Sequence, residues 1–533
     1  MKASRILVTF LAVSVVALSM FVSPSVIGAP QRGGRVVVAL NAGWDLLDPA
    51  ATAFTFSREI MGNIYDPLLI KDPETGEVKP SLATQWTISQ DGRTIILKLR
   101  QGVKFHDGTP LTAEAVVFSI NRIRDPALRS PMAATILGPV ERVESPDQFT
   151  VQISLRAPFA PFLDSLTEIS LAPVSPAAVQ KYGKDFGQHP VGTGPFMVTE
   201  IVPNQRVVMV RNPDYRWAPK IFKNGGPAYL EELVYTVVPE DATRIAQLVR
   251  GEVQVLYNAP PREVNRLQRN PNFRAYFKDQ AGFPRSIIMN TSKWPFDDVR
   301  VRIAIAHAIN KGEILKTVYE GIGGVASLPL SPVTWGYAKS LEQTAYPYNP
   351  DRARQLLAEA GWRPGSDGIL VKDGRPFRVR LWTTTVAQQL LDAQLQQSEL
   401  KAVGIDAQIN AIEQAPYLAA IRKGDHDLGG MLFVSADPDV LFTISHSSQI
   451  GAGWNTAFYK NAELDRLLEE ARVTTDPAKR KELYVRVEEH LNKNVPYIPY
   501  YVIKRAFLST AKVQGFLLDV RAFEVFHDVW LSH

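Results

Sequence analysis

Hydrophobic positions recur along this chain with two distinct periods. Phe149, Val151, Ile153 and Leu155 fall on every second residue, the spacing of a strand with one buried face. Lys98 to Arg100 closes a second extended run, and Arg206 to Val210 has the same character. Elsewhere the apolar steps are three and four. Val301, Ala304, Ile305, Ala308 and Ile309 define one continuous helical face. Asp351 is predicted to cap a helix burying Ala353, Leu356, Leu357 and Ala360, with Gly361 as its left-handed stop. Leu464, Leu467, Leu468 and Ala471 repeat the pattern behind an Asn461 cap. Asp476-Pro477 opens one more helix, since proline suits a first helical turn. With no internal repeat, this mixture predicts an α/β fold in which helices cover sheets.

Two turns carry further information. Asp107-Gly108, between Phe105 and a run beginning at Leu111, predicts a tight turn with positive φ. Thr112 then offers its hydroxyl to a helix start, and Glu114 follows in the first turn. Gly192-Thr193-Gly194-Pro195 is a forced turn whose glycines permit close backbone approach. It lacks the lysine and the wider glycine spacing of a phosphate loop.

At 533 residues the chain is too long for one core, so two or more lobes are expected. Its 24 Phe, 17 Tyr and 9 Trp exclude a disordered class. Lys2 and Arg5 precede an apolar stretch from Ile6 to Val22, and small residues follow from Ser23 to Ala29. That order predicts a signal peptide over residues 1–28 and export across the cytoplasmic membrane. Cysteine is absent, which removes the thiol a bacterial lipoprotein needs, so a periplasmic protein without a lipid anchor is expected. The formal charge is +5, and losing Lys2 and Arg5 leaves +3. Acidic and basic residues are interspersed, without the basic stripe of a nucleic-acid binder.

The run Gly102-Val103-Lys104-Phe105-His106-Asp107-Gly108-Thr109-Pro110-Leu111-Thr112-Ala113-Glu114 resembles the signature of bacterial extracellular solute-binding proteins of the dipeptide, oligopeptide and nickel class. Further matches follow in family order: Val191 to Phe196, Gly251-Glu252-Val253, Phe296-Asp297 with Val299-Arg300, and Tyr348-Asn349-Pro350 leading to Ala360-Gly361-Trp362. Asp437-Pro438-Asp439 and Val495-Pro496-Tyr497-Ile498-Pro499 complete the set. The resemblance implies a two-lobed periplasmic-binding-protein clamp with an extra subdomain in lobe I. Lobe I would comprise residues 29–63, 191–283 and 505–533, its extra subdomain 64–190, and lobe II 284–504. It also implies a monomer that delivers a small, peptide-like ligand to the permease subunits of an ATP-driven importer. Sugars, opines or metal chelates are the alternative ligands, and a periplasmic peptide chaperone is the alternative role.

Under that resemblance the ligand contacts expected are Trp44, Phe54 and Phe56 in an early loop, Trp382 and Thr383 after a second-lobe strand, and Trp454 and Asn455 after Gly451-Ala452-Gly453. The family's peptide binders carry an aspartate upstream of Asp437-Pro438-Asp439 that pairs with the ligand's α-ammonium. Here that position is Val434, and a valine cannot balance a buried charge. Either Asp437 takes over or the ligand lacks a free amino terminus. His106 is expected to be structural or solvated. Asp425-His426-Asp427 is read as a solvated loop, since neighbouring side chains on an extended strand diverge. His446 is the remaining candidate for a nickel-type site, and no metal or cofactor is expected. There is no Gly-x-Ser-x-Gly elbow, no His-Glu-x-x-His pair and no cysteine nucleophile, so an enzyme is not expected.

Overall fold

The structure is a computed structural model that describes residues 29–130, 132–451 and 453–532. The proposed signal peptide lies outside the described residues. Two large sheets organise the chain. The first runs in the order Phe273–Asp279, Lys504–Thr510, Val255–Leu256, Arg35–Leu40, Glu232–Val237, Arg206–Arg211, Phe196–Val202. Arg35–Leu40 pairs in parallel with both Glu232–Val237 and Val255–Leu256, and the other pairings are antiparallel.

The second sheet runs Gly324–Val325, Tyr497–Val502, Gly282–Met289, Leu428–Val434, Arg378–Thr384, Asp406–Ile412. Its Arg378–Thr384 strand is parallel to both neighbours. The bodies built on these sheets are called the first and second lobes below. Each has its own apolar core, Val36, Leu233 and Phe507 in one, Ile305, Leu357 and Leu381 in the other.

The chain passes between the two sheets at two adjacent places. Gln280 and Ala281 lead from Phe273–Asp279 into Gly282–Met289, and Ile503 joins Tyr497–Val502 to Lys504–Thr510. The Gln280 amide donates to the Ile503 carbonyl at 2.8 Å, so the connectors lie side by side. Gly282 at the crossing has φ +108°, and a β-carbon there would collide with the Phe433 carbonyl. Only glycine meets both demands.

A four-stranded antiparallel layer, Ala83–Ile88, Thr94–Leu99, Thr150–Leu155 and Val140–Asp147, has a third core. Val151, Ile153 and Leu155 are buried on it as the two-residue period predicts. The helix Ala113–Arg124 starts at Thr112, whose hydroxyl accepts from the Ala115 amide at 3.4 Å. The turn before it is tight: Gly108 has φ +83°, and the Phe105 amide donates to the Thr109 carbonyl at 2.8 Å.

This turn braces the Gly192–Pro195 segment. His106 is half-buried, with Nε2 at 3.0 Å from the Gly194 carbonyl, and desolvation lowers its pKa to about 4. It is therefore a neutral structural group. A β-carbon on Gly192 would strike the Ile64 carbonyl oxygen, and one on Gly194 would lie 2.6 Å from the Ile64 carbonyl carbon. Close approach is what these glycines supply.

Two expectations are corrected. The helix Pro350–Glu359 is capped by Asn349, whose side chain accepts from the Arg352 amide at 2.9 Å; Asp351 is not the cap. Proline occupies the first helical position, so the cap must precede it, and Asp351 sits in the first turn paired with Arg354. Asp425-His426-Asp427 is not a solvated loop. His426 is fully buried, and Asp427 accepts from Lys293 Nζ at 3.1 Å and from the Arg380 amide at 2.9 Å. The Asn461 and Asp476 caps form as expected, with Asp476 accepting from the Lys479 amide at 2.9 Å.

Candidate functional site

The strand Leu428–Val434 is parallel to its neighbour Arg378–Thr384 and antiparallel to Gly282–Met289, and parallel strands carry ligand sites beyond their carboxyl ends. The chain turns sharply there. Ser435 Oγ donates to the Asp437 carbonyl at 2.9 Å, and the Asp439 amide donates to Asp437 Oδ1 at 2.8 Å. The helix Val440–Ser445 then begins. Facing this turn are two short helices of the four-stranded layer, Ala133–Leu137 and Phe162–Ser165. A cavity lies between them. Phe433, Val434 and Asp437 line it from the second lobe, Met132, Ile136 and Asp164 from the other side.

Charge in and around the cavity is paired. Arg480 grips Asp437 with two hydrogen bonds, at 2.9 and 2.7 Å. Arg472 grips Asp439 in the same two-pronged way, at 2.9 to 3.1 Å. Lys71 Nζ lies 2.5 Å from Asp164, and Arg58 lies 2.7 Å from Glu168. Burial pushes the Asp437 carboxyl up, but the Arg480 charge and its hydrogen bonds outweigh burial and hold it below the usual range. Asp164 goes the other way: burial, followed by the Asp437 charge, raises it to about 7.

The walls also touch directly. The Ala160 amide donates to the Arg472 carbonyl at 2.7 Å, and the Arg472 guanidinium lies 4.9 Å from the Phe159 ring and 3.6 Å from the Phe442 ring. Arg472 thus joins the second lobe to the layer opposite.

The residues expected at the site separate. Val434 and Asp437 line the cavity. Trp454 stands behind it, its ring 6.0 Å from the lining residue Phe433 and under the Arg422 guanidinium. Trp44 is buried in the first-lobe core beside Leu47 and Ile60. Phe54 and Phe56 are half-buried with rings 6.5 Å apart, and Phe56 packs on Tyr257 at 5.2 Å. Trp382 packs against the second-lobe core under Arg380. Thr383 is buried and donates to the Gln389 carbonyl at 3.2 Å. Asn455 is a buried clip whose amide donates to the carbonyls of Ser445, His446 and Tyr459. Sequence reasoning missed Asp164, Lys71, Arg58, Arg472 and Arg480. Among the described residues no group of three His, Asp or Glu side chains is arranged to hold a metal ion.

The arrangement is a cavity between two walls whose charged groups are paired with one another. Residues 77–452 match the model of the bacterial extracellular solute-binding proteins, family 5 (middle), and the chain belongs to that family. It is 32% identical over 497 residues to the glutathione-binding protein GsiB of Escherichia coli, covering 90% of this chain and 91% of that protein. Among solved structures, the oligopeptide-binding protein AppA of Bacillus subtilis in complex with a nonapeptide superposes with a TM-score of 0.85 at 28% identity. That match covers 95% of this chain and 100% of AppA. The periplasmic binding protein DppA of Helicobacter pylori, in complex with the peptide STSA, gives 0.83 at 29% identity, over 94% and 99%. The fold is thus the two-lobed one of periplasmic binding proteins.

Proposed function

We propose that this chain is the substrate-binding component of an ATP-driven importer and that it captures a peptide-like compound outside the cytoplasmic membrane. The observation that carries the reading is a cavity lined by two bodies that two short connectors join. A guest held there contacts both walls, so it stabilises the closed arrangement by its differential affinity for closed over open. The similarity to glutathione- and peptide-binding relatives supports a peptide-like guest. The protein acts as a periplasmic monomer without a lipid anchor, and no bond of the guest is made or broken.

The lobes divide as the resemblance implies, with the four-stranded layer as the extra subdomain of lobe I. The strand ends support crossings at residues 280–281 and 503, close to the expected 283 and 504.

Of the two alternatives left by Val434, the ion pairs disfavour the first, in which Asp437 takes over. Both Asp437 oxygens are engaged by Arg480, so Asp437 has little capacity for a ligand ammonium. The guest does not present an α-ammonium to the end of the Leu428–Val434 strand as a linear peptide would. A γ-linked peptide such as glutathione carries its ammonium on a branch and meets this condition. Titration calorimetry with reduced glutathione and with its α-linked isomer tests the reading. The γ-linked compound is expected to bind more tightly by roughly tenfold, about 1.4 kcal/mol. Equal or tighter binding of the α-linked isomer would overturn the Val434 argument, and heatless titrations of both would overturn the peptide-like guest.

A further inference from the structure

Arg58 and Lys71 line a second cavity as well as the one between the walls, so the two spaces adjoin at these side chains. None of the residues lining the second cavity comes from the second lobe. The helix Thr55–Met61 forms one side of it, and residues 517–527 form another. Phe523 stands in that wall with three cations around it. The guanidinium groups of Arg58, Arg505 and Arg521 lie 5.4, 5.3 and 5.5 Å from its ring.

Three buried polar side chains on this cavity are incompletely satisfied. Arg58, Glu59 and Glu524 are 4%, 1% and 2% exposed, yet Arg58 Nε, Glu59 Oε2 and Glu524 Oε2 have no hydrogen-bond partner. The Arg58 guanidinium donates through Nη2 alone, to Glu168 at 2.7 Å. Glu59 Oε1 accepts from the Tyr257 hydroxyl at 2.7 Å and is paired with Arg505. Glu524 Oε1 accepts from the Tyr235 hydroxyl at 3.1 Å, and among the described residues no cation is paired with Glu524. Buried polar atoms are ordinarily hydrogen-bonded, so three such atoms around one cavity indicate the chemistry of what fills it.

Two carboxylate oxygens without donors suit a group carrying several N–H bonds, and a free guanidinium N–H suits an anion. A divalent ion fits poorly, because it needs more oxygen ligands than these two side chains supply. We infer that this first-lobe cavity receives the α-amino-acid head of the guest, its ammonium on Glu59 and Glu524 and its carboxylate on Arg58. The inference rests on the peptide-like reading and gives the ammonium a place that Val434 denies it. A γ-glutamyl residue carries both charges on one carbon, so its head enters here while the rest of the guest lies between the walls. Glu59 and Glu524 together exceed the single Arg505 by one charge, which the ammonium supplies. Without a guest, burial and the Glu59 charge hold the Glu524 carboxyl well above its ordinary range and keep it neutral.

Titration calorimetry on the whole protein compares reduced glutathione with glutaryl-cysteinylglycine, which lacks only the head ammonium. The parent is expected to prefer glutathione by roughly tenfold or more, the scale of a charge-assisted contact. In Glu524→Gln, an isosteric change that keeps an acceptor for Tyr235, the preference should shrink to within about twofold. Glutaryl-cysteinylglycine should bind this variant as it binds the parent, so the readout does not depend on stability. Equal binding of both compounds by the parent, or an undiminished preference in Glu524→Gln, would overturn the inference and leave the peptide-like guest standing. If neither compound binds, the peptide-like guest fails, and the cavity is read with L-glutamine, whose side-chain amide reproduces the γ-linked head. Millimolar L-glutamine should then raise the Tm of the parent and not that of Glu524→Gln. No rise in the parent, or an equal rise in both, would overturn the inference as well.

Discussion

Arg480 Nη1 and Nη2 meet Asp437 Oδ2 and Oδ1 at 2.9 and 2.7 Å, a parallel two-pronged pair buried at the edge of the cavity. This pairing explains why Asp437 cannot simply inherit the role that Val434 leaves vacant. A carboxylate so engaged has spent most of its acceptor capacity, since the Asp439 amide also donates to Asp437 Oδ1 at 2.8 Å.

Removing the cation exposes the cost of that arrangement. Arg480→Met should lower stability by about 3–5 kcal/mol, because a buried carboxylate is left without its partner. Thermal unfolding measures the loss. Asp437→Asn combined with Arg480→Met should recover part of it, and failure to recover would show that packing of the arginine stem dominates.

Restoring the missing acceptor is the complementary change. Val434→Asp places a carboxylate at the strand end, on the lining of the cavity. Linear peptides with a free amino terminus should then gain roughly tenfold or more in affinity, the scale of one charge-assisted contact of about 1.5–3 kcal/mol. Titrating one linear dipeptide against both proteins checks this; no gain would place the ligand ammonium elsewhere.

The contact across the walls should govern release more than capture. Phe159→Ala removes the ring under the Arg472 guanidinium, an interaction worth about 0.5–2 kcal/mol. Stopped-flow measurements should show dissociation several-fold faster with association little changed, as contacts completed on closure act on the off-rate.

His106 makes a prediction about acid. Its folded pKa of about 4 lies below the ordinary histidine value, so protonation favours the unfolded chain. Its contribution is intact above about pH 6.5 and lost as pH falls toward 4, amounting to about 3 kcal/mol over that window. The stability difference between the parent and His106→Gln, followed by denaturant unfolding, should shrink as pH is lowered from 7 to 4.

Much of the scaffold was legible because local chemistry fixed it. The Asp107-Gly108 turn, the Thr112 cap and the Gly192 and Gly194 contacts each follow from one residue type in one conformation. Helix faces such as Val301 to Ile309 were equally plain, since a run of apolar steps of three and four admits few other readings. The site was less legible. Trp44 and Asn455 belong to packing and to a backbone clip, which a lone side-chain identity does not distinguish from a ligand contact. Asp164 lies in an ordinary Leu163-Asp164-Ser165 sequence and comes to line one cavity with Asp437, 273 positions away in the numbering, only through the fold. Arg480 likewise looks like any charged helical residue until the fold brings it to Asp437.

The clamp itself is tested most directly by hydrogen exchange with and without saturating reduced glutathione. Amides of 433–440 in the second lobe and of 159–165 opposite should gain protection together, since a guest between them closes both walls. Protection confined to one wall, or absent from both while glutathione is bound, would contradict enclosure between the lobes.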